Sequence, residues 1–426
     1  MNHWQVGILV LLVLLFAGMP IAFALTLVGL VGVISIIGVQ PALALLGSTF
    51  FDSGRDYSLS VLPLFLMMGN FVVQSGIAGE LYKAAYAWTR HRKGGLASAT
   101  VLACGAFSSV CGSSMATAAT MARIALPSMR KFGYPDRLST ASIAAGGTLG
   151  ILIPPSVILV FYGIMTQQDI GRLFLAGIIP GVIGVIGYMI AVRISVALSG
   201  HDLPVEPKLP LKDRIMALKG TAGAILLFVY VMGGIYLGVF TPTESAGMGA
   251  GGALLLLILS RRFSWKGLLD VLYDTMKTTA MMFFILFGAL TFSNYVNMSG
   301  MTTDIQAFIE TWGGNRWGVI LIILAIYLVL GCVFESLSMI MLTVPVLYPI
   351  VAAQGFDLIW FGIFVVVVTE ISLITPPVGM NAFVLRSVVP DVPIGTIFRG
   401  LVPFVAIDLV RVAVIILLPG LVLFLT

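Results

Sequence analysis

The sequence predicts an all-α polytopic membrane protein of two inverted repeats, each holding a re-entrant helical hairpin and a transmembrane helix broken at a Pro-Pro pair. Composition points there first. Of 426 residues, 59% are hydrophobic and 10% charged, against about 25% charged in an average soluble domain. A mean hydropathy of +1.09 leaves more apolar surface than a water-soluble core can hide. Run length is the second observation. Stretches such as 6–39, 220–260 and 317–334 can cross a bilayer, since roughly 20 apolar residues span about 30 Å of hydrocarbon. They lack the apolar–polar alternation of barrel strands, so the spans are helical. The third observation is internal similarity. Pro154-Pro155 and Pro376-Pro377 are offset by 222 residues (376 − 154 = 222). The same offset relates Pro127 to Pro349, Gly133 to Gly355, Phe161 to Phe383 and Pro20 to Pro242. A slightly larger one relates Ser75-Gly76 to Ser299-Gly300, and Gly177 and Pro180 to Gly400 and Pro403.

Residues 1–198 and 220–426 therefore read as two copies of one unit, joined by a polar, basic linker at 199–219. In each copy two spans flank a proline, Pro20 or Pro242, and a third follows at 59–79 or 277–299. Next comes a segment whose polar centre splits it into arms too short for two full spans. This is the hairpin, at about 96–126 with SSVCGSSMATAAT and at about 317–349 with ESLS. A long span broken at Pro-Pro follows, at about 138–165 and 356–385, and a last span closes each copy at 174–198 and 400–425.

Charge tests the topology, because short cytoplasmic loops collect Lys and Arg. The first hairpin is flanked by Lys83, Arg90, Arg92 and Lys93, and then by Arg123, Arg130, Lys131 and Arg137. Both flanks are thus cytoplasmic. The second hairpin is flanked by 300–316, with only Arg316, and by 349–360, with no Lys or Arg, so both are periplasmic. Opposite faces make the repeats inverted. The linker (Lys208, Lys212, Arg214, Lys219) and 261–277 (Arg261, Arg262, Lys266, Lys277) fall on the cytoplasmic side.

Several classes drop out. The net charge of +5 lies in loops and is a topology signal, with no nucleic-acid footprint. Cys104, Cys111 and Cys332 make neither a disulfide framework nor a metal spacing. No GxxxxGK[ST] sequence suggests ATP hydrolysis. GMGAGG at 247–252 has no preceding strand and reads as helix packing. Residues 6–18 lack a basic leader and read as a retained span.

The polar patches carry the chemistry. At the first tip stand Ser108, Ser109, Gly112, Ser113, Ser114 and Thr117. A broken helix exposes carbonyls and amides, tolerated only against protein or a wet cavity. Its oxygens suit a hard cation such as Na⁺, and helix N-termini suit a carboxylate. Close helix packing is the plain alternative for one such patch, but two matched hairpins and two matched Pro-Pro breaks favour a site near the midplane. Gly146, Gly147, Thr148 and Gly150 precede the first break; Ser372 and Thr375 precede the second, and Asn381 follows it. Ionisable residues within apolar runs are Glu244, Glu335, Glu370, Arg386, Asp408 and Arg411, each a functional candidate by default. Glu335 lies at the second tip, where it would hold the hairpin or tune the ion site, and Glu370 would act similarly. Arg386 would snorkel, and Asp408 and Arg411 would pair at i,i+3.

The stretches GAFSSVCGSSMATAAT, IPPSVILVFYGI, LFLAGIIPG, YLGVFTPTESAG, LITPPVGMNAFVL and IFRGLVPF resemble those of the large membrane subunit (DctM-like) of tripartite ATP-independent periplasmic (TRAP) transporters, from about residue 18 to residue 404. The resemblance implies an elevator-type importer of a small organic acid in the bacterial inner membrane, coupled to Na⁺ and without organic cofactor. The acid would be a C4-dicarboxylate, sialic acid or similar carboxylate. It also implies two partners, neither fused here: a small four-span membrane subunit and a periplasmic substrate-binding protein. It maps Na⁺ onto the tips and breaks, at Ser108, Ser109, Gly112, Ser113, Gly147, Thr148, Glu335, Ser336, Ser338, Ser372 and Thr375. The carboxylate would meet Ser114, Thr117, Pro154, Pro155, Pro376, Pro377 and Asn381. If hairpins and broken spans move together, the Pro20 and Pro242 spans and the closing spans would form the static frame. A stand-alone Na⁺-coupled divalent-anion symporter is the nearest alternative. An intramembrane enzyme would need a nucleophile–base or metal constellation, and a channel a continuous polar pore; neither appears.

Overall fold

The first tip is built by two residues. Gly112 takes a left-handed conformation (φ 65°), which ends the helix Gly95–Cys111. Ser113 then turns extended, and its hydroxyl accepts from the Ala116 amide at 3.4 Å to start the helix Ser114–Lys131. A computed structural model describes residues 2–199, 203–311, 315–331 and 334–426 of the chain, and among these no strand occurs. The second hairpin pairs Arg316–Gly331 with Ser336–Ala353, whose N-cap is Glu335. Between its arms, Cys332 lies outside the described residues.

Both Pro-Pro pairs break a helix. Asp136–Thr148 tightens into a 3₁₀ turn at Leu149–Ile151, and helix resumes as Val157–Thr166, capped by the Ser156 hydroxyl on the Leu159 amide at 3.3 Å. In the second part Leu358–Ser372 stops, and Met380–Val388 resumes after Gly379. Proline offers no amide donor and crowds the preceding turn, which explains why regular helix fails at both places. Both Pro-Pro bonds are cis.

The helices sort into two packed groups. In one, Ile21–Ile37 crosses Trp265–Met298, and Pro242–Leu259 lies along Val61–Ser75. Small residues allow this. A Cβ on Gly29 would sit 2.7 Å from the Phe292 amide nitrogen, and one on Gly249 would sit 2.6 Å from the Met68 sulfur. The glycine run thus packs helices, as its setting predicts. The other group holds both hairpins and both broken helices. The long closing helices Ile170–Ser199 and Ile394–Leu417 pack on each other and on the broken helices. This corrects the expectation that they belong with the Pro20 and Pro242 spans.

Among the described residues, seven helices are long and apolar enough to cross a membrane. Phe16 (70% exposed), Val329 (69%) and Leu417 (76%) present outward surface that only lipid or another apolar partner would cover. Glu244 is corrected too. It is an exposed helix-start residue, whose Oε2 accepts from the Thr241 amide at 2.8 Å and hydroxyl at 2.9 Å in a capping box. The TPTE sequence is therefore a helix start. Val39–Arg55, Ile77–Thr89 and Met301–Thr311 add helices that sequence reading passed over, because Ser, Thr, Gly and charges dilute their apolar faces. The linker folds back: Arg214 lies over the Trp88 ring at 5.6 Å, and Glu206 pairs with Arg90.

Candidate functional site

Both hairpin tips face one cavity of about 520 Å³. Gly112, Ser113 and Ser114 line it from the first tip, Glu335 and Ser336 from the second. Ile151 and Leu373 bring the edge of each break to it. Glycine permits the crowding of tip on break. A Cβ on Gly112 would be 2.9 Å from the Pro155 carbonyl oxygen, and one on Gly150 would be 2.9 Å from the Ser113 oxygen. In the second part a Cβ on Gly331 would overlap the Ser372 hydroxyl.

Asn381 joins the parts. It is fully buried, its Nδ2 donates to the Ala144 carbonyl at 3.1 Å, and its Oδ1 accepts from the Ser114 hydroxyl at 3.2 Å. Its own amide donates to the Leu373 carbonyl at 3.1 Å. The side chain thus binds the first tip and the first broken helix, while the backbone of the same residue closes the second break.

The hydroxyls expected at the ion site (Ser109, Thr375) and at the carboxylate (Thr117) point mostly back to their own backbone. Ser109 donates to Ala106 at 2.8 Å, Thr117 to Ser113 at 2.8 Å and Thr375 to Ser372 at 3.4 Å. A donating hydroxyl keeps lone pairs for a cation. Ser108 Oγ is buried without a hydrogen-bond partner among the described residues, a fitting lone-pair donor for a cation although it does not line the cavity. Glu335 is engaged by Ser338, amide at 3.4 Å and hydroxyl at 3.2 Å, which pins the second tip. Gly147 packs on Ala118, where an added Cβ would lie 2.8 Å from that residue's own. Pro154 and Pro155 are buried, while Pro376 and Pro377 are exposed.

Two of the set point elsewhere. Ser372 donates to the Tyr327 and Val368 carbonyls at 3.4 and 3.2 Å. Thr148 meets the Tyr188 hydroxyl at 2.9 Å. Tyr188 donates to Asp408 Oδ2 at 2.7 Å, and Arg411 bridges Asp408 at 2.9 Å and Glu370. Glu370, Asp408 and Tyr188 are 0% exposed and Arg411 is 2% exposed. The i,i+3 pair is as the sequence suggests. Glu370 is corrected: its carboxylate serves Arg411, away from the tips. Tyr188 was missed, since a tyrosine in an apolar run gives no sign of its partner. Arg386 donates to the Val392 carbonyl just past its helix. The cavity wall was missed as well. Asp274, Lys277 and Thr278 line it from Trp265–Met298, and Asn70 from Val61–Ser75.

With this geometry in hand, comparison with known proteins decides the family. The family model described as tripartite ATP-independent periplasmic transporter, DctM component, matches residues 8–421. The chain belongs to this family. It is 35% identical over 394 residues to the C4-dicarboxylate TRAP transporter large permease protein DctM of Pseudomonas aeruginosa, covering 92% of each chain. It is 31% identical to the sialic acid TRAP transporter large permease protein SiaM of Vibrio cholerae, covering 94% of each. Its fold resembles the crystal structure of the Alcanivorax borkumensis YdaH transporter, with a TM-score of 0.61, 15% identity, and 90% and 89% of the two chains covered. This TRAP large permease subunit is accordingly a secondary transporter component, and no enzyme, in a multi-pass inner-membrane setting.

Proposed function

We propose that this permease subunit carries out Na⁺-coupled uptake of a small organic acid by an elevator motion. A periplasmic binding protein delivers the acid, and a separate four-span subunit braces the frame. The acid is a C4-dicarboxylate, sialic acid or a similar carboxylate, the chemistry named for its relatives. The observation that carries the reading is the cavity shared by both tips. Carbonyls and hydroxyls there offer Na⁺ oxygen ligands, and the N-termini of Ser114–Lys131 and Ser336–Ala353 offer partial positive charge to a carboxylate. The two packed groups supply a frame and a mover. Because the closing helices pack on the broken helices, they travel with the mover. Asn381 and the Arg411 cluster keep the mover in one piece. At its cytoplasmic end Arg130 holds Asp136 at 2.8 Å and Asp391 at 2.6 Å, and this bonding keeps the Asp391 carboxyl below its usual range.

The inverted repeat belongs to the same proposal. Single cysteines at 131 and 212 should be labelled only from the cytoplasm, and one at 304 only from the periplasm. Labelling of 131 and 304 from one side would remove the inversion.

The ion site is tested by substitution. Ser113→Ala alone should weaken the Na⁺ dependence of uptake modestly, because one hydroxyl contributes about 1 kcal/mol. Combined Ser109→Ala, Gly112→Ala and Ser113→Ala should raise the Na⁺ needed for half-maximal uptake by at least about tenfold while membrane insertion persists. An unchanged Na⁺ dependence would place the ion away from this tip.

A further inference from the structure

The wall of the cavity carries a feature that the tips and breaks do not explain. Asp274, Lys277, Thr278, Met281 and Met282 all line it from one helix, Trp265–Met298. Their spacing (i, i+3, i+4, i+7, i+8) is a single helical stripe. The stripe is graded. Its first turn is charged and polar, and its last turn is two methionines. Behind it Asn70 donates to Thr275 at 3.1 Å, fixing the neighbouring helix Val61–Ser75 against the same turn. Among the described cavity-lining residues Lys277 is the single cation; it and Asp274 are exposed, and Glu335 lines the same cavity. It forms no ion pair among the described residues, although Asp274 lies only one turn away. The Thr278 hydroxyl beside it makes no hydrogen bond among the described residues either. An unpaired ammonium next to a free hydroxyl offers N–H and O–H donors to the same anion. The helix enters from the basic segment holding Arg261, Arg262 and Lys266, and the charged turn is the part of the stripe nearer to that segment.

We infer that Lys277 and Thr278 form a carboxylate subsite on the cavity wall, separate from the tips. An organic anion leaving the tips on the basic side meets this pair before reaching water. The neighbouring Asp274 keeps the wall from holding the anion tightly, and offers its own charge to the departing cation. The methionines, Met281 exposed and Met282 half-buried, give the far end of the stripe an adaptable apolar surface that accepts chains of different shape. The inference rests on the proposed carboxylate uptake for its cargo, but the electrostatic claim about the wall stands by itself.

The test uses the full-length chain in detergent, with Cys104, Cys111 and Cys332 replaced by alanine and one reporter cysteine at Met281. Two thiol reagents of similar size are compared, an anionic ethylsulfonate and a cationic trimethylammonium-ethyl methanethiosulfonate. Lys277→Gln should slow the sulfonate about fivefold relative to the cation, the size of one screened charge–charge contact. Asp274→Asn should shift the ratio the other way, and raising the salt should shrink both effects. Equal ratios with and without Lys277 overturn the subsite, as does an effect of equal size at a reporter outside the cavity. A Lys277 effect in a protein that shows no Na⁺-driven uptake would keep the subsite and remove only the carboxylate-uptake reading.

Discussion

Arg411→Met should leave the subunit unable to survive extraction as a monodisperse protein. Arg411 compensates Glu370 and Asp408 at once, in a place where neither carboxylate reaches water. Removing it strands two acids against Tyr188 and the apolar interior. Breaking a buried ion pair by deleting one partner costs about 3–5 kcal/mol, a large fraction of the stability of a folded domain. Arg411→Lys should recover only part, because a compact ammonium cannot span both carboxylates as the planar guanidinium does. The triple variant Arg411→Met, Glu370→Gln, Asp408→Asn should recover most of the loss, since no charge is then left alone. Thermal melting followed by size-exclusion chromatography reads all three. If Arg411→Met melts like the parent, the cluster does not hold these helices together.

The second large effect concerns motion. Phe65, on Val61–Ser75 of the proposed frame, meets Phe174, on the closing helix Ile170–Ser199, with ring centroids 5.9 Å apart. A cysteine pair at 65 and 174, bridged by a short bifunctional reagent, should abolish uptake, and cleaving the bridge should restore it. A pair at 130 and 391, where the native side chains sit 2.6 Å apart within the mover, should crosslink with most uptake retained. Full transport through a locked 65–174 pair would mean that the closing helix is part of the frame, or that gating is local.

Much of the fold was legible because each device leaves a local mark. Apolar run length gave the spans, and the proline pairs and the Gly112-Ser113 step gave the breaks and the first tip, since each acts through its own backbone. Helices with diluted apolar faces, such as Val39–Arg55, were lost because surface helices at a membrane need no continuous apolar run. The site was legible only in part. Ser113, Glu335 and their neighbours could be found because they sit at interruptions. Lys277 sits in an uninterrupted helix and reads as part of a basic flank, which hides Asp274 one turn before it. Glu370 stood out as a membrane carboxylate, but its partner is 41 residues away. Tyr188 is 220 residues from Asp408. Nothing local encodes such pairings, which follow from how the closing helices pack on the broken ones. Sequence order also misassigned the closing helices, because chain position says nothing about which neighbour a span chooses.

In the proposed function the cavity shared by the two tips carries Na⁺ and an organic acid across the membrane together. The most direct test is uptake into liposomes holding this chain and its small subunit, with the cognate binding protein and its acid outside. An inward Na⁺ gradient should drive accumulation, K⁺ in its place should not, and uptake should collapse when the combined Ser109, Gly112 and Ser113 variant is used at low Na⁺. Accumulation that is equally fast without any Na⁺ gradient, and indifferent to those three substitutions, would contradict it.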